Sequence, residues 1–176
     1  MSGDQISVDV ETQLRSLFDA QDERSKRYEA LLPNSDDVSL VVLKGHLVIE
    51  EMLFEIAAAH CSSPEHLANA RLTFAQLLQV TQALVKLPVG SKVWQAALML
   101  NGIRNSLVHN LEPKEIENRL MALYKQCDPA DVPYPQNFVH PTEPAKVASS
   151  CIGFIMGALS VINPVSTFIE RNLKLS

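Results

Sequence analysis

The sequence predicts an all-α fold: an antiparallel bundle of five to six helices with a proline-rich loop before the last one. Three observations carry this prediction. Apolar residues recur at three- and four-residue spacing along most of the chain, the period of one helix face. No segment alternates apolar and polar residues as a half-buried strand does. Prolines and cap-forming Ser, Thr, Asp and Asn residues fall at the breaks between apolar runs, where helices stop and start.

Residues 9–31 read as the first helix, with Val10, Leu14, Leu17, Phe18, Tyr28 and Leu31 apolar and a solvated charged stretch from Asp19 to Arg27. Pro33 breaks it, and Asn34, Ser35 or Asp36 is expected to cap the next helix. That helix, about 37–60, is apolar almost throughout and reads as the central element. A short turn at 64–70 begins at Pro64. A third helix follows at about 73–86, with Thr73 as its cap and Pro88 to Gly90 as its stop.

Ser91 is expected to cap a fourth helix running to about Asn110, and a fifth covers about 113–126. Residues 128–144 hold five prolines, at 129, 133, 135, 141 and 144, and read as an extended loop. The last helix, about 145–174, is expected to kink near Pro164. At 176 residues the chain reads as one domain, residues 1–176.

Composition narrows the function classes. A 47% apolar, 20% charged chain has the makeup of a globular protein and excludes wholesale disorder. Its net charge of -5 removes the globally basic signature of nucleic-acid binders, so any such contact must come from a local group of residues. Three cysteines, Cys61, Cys127 and Cys151, without CxxC spacing speak against a disulfide framework or zinc ribbon. The first ten residues lack the basic and apolar regions of a secretory leader, and a cytoplasmic setting is expected.

From Val147 to Ile169 the chain carries no charge, and Gly153 to Gly157 is a GxxxG, as in membrane-spanning helices. Asn163 and Pro164 interrupt the stretch before it reaches the roughly 20 residues of a span. The expectation is therefore a buried helix whose glycines let a neighbour approach, with no membrane contact.

The fourth helix carries the chemistry. On a helical wheel Ala96, Met99, Leu100, Ile103, Leu107 and Leu111 form the core arc. Opposite stand Trp94, Ala97, Leu98, Asn101, Arg104, Asn105, Val108 and His109. Asn101, Asn105 and His109 are four residues apart and share a stripe. A face mixing apolar groups with amides, a guanidinium and an imidazole suits a cleft or subunit interface. No acidic residue occurs from Ser91 to Leu111, so an anion meets no local repulsion there. Imidazole passes protons near neutral pH, and guanidinium forks onto phosphate oxygens. Those two functions suffice for cleavage of an RNA phosphodiester by its own 2′-hydroxyl.

Arg104-Asn105-Ser106-Leu107-Val108-His109, near the end of a helix in a small all-α chain, resembles the R-N-x-x-x-H motif of the HEPN superfamily. The resemblance covers residues 37–127 best. It implies a metal-independent endoribonuclease of the toxin or phage-defence kind, without cofactor, acting on RNA as a homodimer whose shared cleft carries both motifs. A cognate antitoxin or regulatory protein is an implied partner. Arg104 and His109 then become the catalytic pair, with Asn105 beside them. Asn101, Lys44 and His46 are candidate substrate contacts. The proline-rich loop and kinked last helix depart from a minimal family domain.

Other readings stand beside this one. His109 suits a helix C-terminus on electrostatic grounds alone, and Arg104 has Glu50 and Glu51 as candidate partners. His46, Glu50, Glu51, Glu55, His60 and His66 invite a metal reading, but carboxylate bundles use Glu-x-x-His pairs on facing helices. Here His46 precedes Glu50 by four and no second pair exists, so a helix-surface or interhelical hydrogen bond is expected and no metal. A non-catalytic regulatory module, similar to mannitol operon repressor-like proteins, is the alternative function, and a plain helical scaffold the third.

Overall fold

A computed structural model describes residues 22–85, 91–110, 115–127 and 140–166, with positions 12, 15, 16 and 19 in helix ahead of them. The helices are α1 (22–31), α2 (Val38–His60), α3 (Pro64–Asn69), α4 (Phe74–Leu84), α5 (Ser91–His109), α6 (Ile116–Cys127) and α7 (Pro144–Ser160). Among the described residues every regular element is a helix, as the spacing of apolar residues predicts. The expected loop at 128–144 and the end of the expected 145–174 helix fall largely outside the described residues.

Local chemistry sets the helix ends. Asp37 caps α2: its side chain accepts from the backbone N–H groups of Ser39 and Leu40, one at 2.8 Å. The cap is thus Asp37 and not Asn34, Ser35 or Asp36; Ser35 Oγ instead accepts from the Asp37 N–H at 3.1 Å and braces the turn. Thr73 and Gln76 form a reciprocal capping box at the start of α4. Pro64 and Pro144 occupy first-turn positions, where a missing N–H costs nothing.

α2 is the hub, packed against α3, α4, α5 and α7. Ile49 and Leu53 on α2, Leu100 on α5, Leu120 and Leu123 on α6, and Ile152 and Ile155 on α7 are all fully buried. Each such side chain contributes about 1.5–3 kcal/mol of transfer free energy. Tyr28, 2% exposed, anchors α1 on this core, and Arg27 Nη2 reaches Glu51 of α2 at 2.8 Å.

Two expectations about packing are corrected. α5 touches α2, α4, α6 and α7, so its buried side is broader than one arc: Trp94 and Ala97 are buried, whereas Met99 and Leu107 are only half-buried. The GxxxG glycines, Gly153 and Gly157, are exposed, and a Cβ at either would meet nothing within 4 Å. The close approach occurs at Gly45 on α2, where a Cβ would fall 2.7 Å from Ile152 Cγ1 of α7.

α7 breaks at Val161, and a further turn of helix covers 162–166. The break falls three residues before Pro164, because proline's ring collides with the carbonyl four residues back, that of Ser160. Pro144–Ser166 is the one described helix long and apolar enough to cross a membrane by length and composition, and half of its most apolar window is buried in the bundle. Cys127 and Cys151 are buried together between α6 and α7, and Cys61 is half-buried.

Candidate polar site between α2 and α5

His46 stands on the inward side of α2 and is 3% exposed. Its Nε2 is 3.0 Å from Asn101 Oδ1 of α5, a bond between residues 55 positions apart. The oxygen accepts, so Nε2 carries the proton and Nδ1 is a bare acceptor. Nδ1 is buried and has no hydrogen-bond partner among the described residues. One face of the ring lies against Phe74 of α4, centroids 4.3 Å apart and planes inclined by 31°.

Burial holds the His46 imidazole below its ordinary value. The Asn101 bond and the Glu50 charge oppose this, while the Arg104 charge adds to it. The ring is therefore neutral at neutral pH, a hydrogen-bond donor on one side and an acceptor on the other.

Arg104 and Asn105 follow on α5, both half-buried. Arg104 Nη1 donates to Asn105 Oδ1 at 3.1 Å. A guanidinium has five N–H donors in a rigid fork, so this bond occupies one of them and orients the rest. Arg104 does not pair with Glu51, which is engaged by Arg27. The structure thus brings His46, Asn101, Arg104 and Asn105 into one neighbourhood.

His109 lies in the last turn of α5 and is exposed. The nearby Ser106 carbonyl is capped by Asn110, whose Nδ2 donates at 2.9 Å, so the adjacent amide and not the imidazole serves that carbonyl. Lys44 is exposed on α2. His60 Nδ1 donates to the Ile56 carbonyl at 2.8 Å within its own helix, and exposed His66 stands 3.7 Å from Glu65. Among the described residues no group of three or more His, Cys, Asp or Glu is placed to hold a metal ion.

Of the helix-surface and interhelical bonds open to His46 from the sequence, the structure has the interhelical one, and it adds Phe74 as the surface on which the ring packs. The only available signal was position: Phe74 is the first apolar residue after the Thr73 cap, where α4 enters the core. What the fold and site define together is an all-α bundle with a semi-buried imidazole–amide–guanidinium cluster. Comparison of the chain with known protein families, with curated proteins and with solved structures gives no match.

Proposed function

We propose that the chain is a HEPN-like, metal-independent endoribonuclease, cytoplasmic and homodimeric, of the toxin or defence kind. The observation that carries the reading is the Arg104–Asn105 bond on α5, beside the neutral His46–Asn101 pair. Asn105 aims the guanidinium, and Arg104 takes the negative charge that grows on the phosphate oxygens. His109, exposed at the helix end, handles the proton. As base it accepts the 2′-hydroxyl proton while that oxygen bonds to phosphorus and the bond to the 5′-oxygen breaks; as imidazolium it protonates the leaving 5′-oxygen.

His46 takes no part in proton transfer on this reading, because its Nε2–H is held by Asn101 and its bare Nδ1 is buried. It holds Asn101 and, through that contact, the register of α2 against α5. Lys44 and Asn101 serve as contacts to the RNA backbone. A neighbouring antitoxin or regulator would cover the cleft.

The expected result is that Arg104→Ala and His109→Ala each lower RNA cleavage by a factor of about 100 or more, with helicity and assembly mass unchanged. Cleavage at the wild-type rate by both variants would reject the assignment. A second reading, a non-catalytic regulatory module, is favoured by the net charge of -5. Expression alone separates the two: the ribonuclease arrests growth, and the module does not.

A further inference from the structure

A cavity of about 380 Å³ opens between α2, α3 and α4, within the size range of small-molecule sites. Leu47 and Phe54 of α2, Leu67 of α3 and Leu72 form apolar walls. Glu50, Glu51 and Arg71 stand at its edge. Glu51 is committed to Arg27 at 2.8 Å. Glu50, half-buried, and Arg71, exposed, have no ion pair or hydrogen bond among the described residues. Arg71 occupies φ 49°, directly after the α3 C-cap, where glycine is the usual residue. Glu50 is also one turn beyond His46, and its charge acts on that ring, so the cavity adjoins the polar cluster.

A ligand matched in chemistry to this lining has apolar faces, paired donors on one edge for a carboxylate and paired acceptors on another for a guanidinium. Among the nucleobases only guanine meets both conditions: N1–H and N2–H face a carboxylate, and O6 and N7 accept the guanidinium fork. Adenine and cytosine would each turn a ring-nitrogen acceptor toward Glu50, and uracil offers that carboxylate one donor. Unstacked bases in single-stranded RNA are read in this manner, by packing on their faces and hydrogen bonds on their edges.

We propose that the α2–α3–α4 cavity is a guanine-binding pocket, with Glu50 on the Watson–Crick edge and Arg71 on the Hoogsteen edge. This deepens the ribonuclease reading and rests on it for the source of the base, a guanosine next to the scissile bond. The test is calorimetric titration of the full chain with guanosine, adenosine, cytidine and uridine 5′-monophosphates, which share their phosphate. The guanosine nucleotide is expected to bind at least tenfold tighter than the other three. Glu50→Gln and Arg71→Ala, both at positions outside the core, should each remove that preference without loss of helicity. Equal binding of all four nucleotides, no binding, or an unchanged preference in both variants would overturn the pocket. RNA cleavage mapped on a mixed-sequence substrate separates the two ideas: cleavage with no guanosine preference ends the pocket and keeps the nuclease. Guanosine nucleotide binding without cleavage keeps the pocket and ends the nuclease, leaving a free guanine nucleotide as the ligand.

Discussion

His46 owes its burial to its place on α2: Val42, Ile49 and Leu53, four before, three after and seven after it, are all fully buried. A polar ring in that stripe needs a partner, and Asn101 supplies one at 3.0 Å. Removing the amide leaves a buried N–H unsatisfied, so Asn101→Ala should cost about 1–3 kcal/mol, read as a lowered urea midpoint. The same ring makes stability depend on pH with a definite sign. In the unfolded chain it titrates near 6.5, in the folded chain lower. As pH falls below that unfolded value the unfolded state binds the proton first, so its stabilising contribution is present above about 6.5 and declines toward the folded value. Arg104 from α5 and Glu50 from α2 are the charged groups acting on the ring, and α4 presents the uncharged Phe74. Urea midpoints at about pH 7.5 and about pH 5 should therefore fall further apart in the wild type than in His46→Gln. Equal falls in the two proteins would show that His46 is not the group concerned.

At the scale of elements, α2 and α7 meet through one glycine, while two others on α7 face away. Alanine in place of glycine inside a helix ordinarily stabilises by about 0.5–1 kcal/mol. Gly153→Ala and Gly157→Ala should follow that rule, because a Cβ there enters open space. Gly45→Ala should break it. Its Cβ would overlap Ile152, whose Cγ1 and Cγ2 are both within 3.0 Å and whose branched side chain has little freedom to turn. Overpacking of this kind costs about 1–3 kcal/mol, more than the helix propensity returns. Thermal unfolding of the three variants would show opposite signs, and stabilisation by Gly45→Ala would refute the packing described. The residue pattern made α2 and α4 legible nearly to the residue, since prolines, caps and apolar spacing are local signals. It could not say which glycine is approached, because that depends on how two helices cross.

For the whole molecule, the limit of sequence reading is the number of neighbours each helix has. A two-faced wheel describes a helix with solvent on one side, but α5 packs against four others, and Trp94 and Ala97 went inside for that reason. The R-N-x-x-x-H stretch is legible as a string, yet the bond from His46 to Asn101, ahead of it on α5, spans 55 positions and exists only once α2 lies beside α5. The folded surface keeps Leu98 and Val108 of α5 and Leu40 of α2 between 40% and 51% exposed. Large aliphatic groups left on the two helices that build the polar site suit a second copy of the chain covering them. If the working unit is that dimer, sedimentation should give twice the chain mass of 19.5 kDa. Dilution then provides the functional check. A cleft built from both copies loses specific activity as the dimer dissociates, in step with the fall in mass, because mass action sets the population of the assembled site. A nuclease confined to one chain would keep the same activity per molecule at every concentration, and that result would remove the shared cleft from the mechanism.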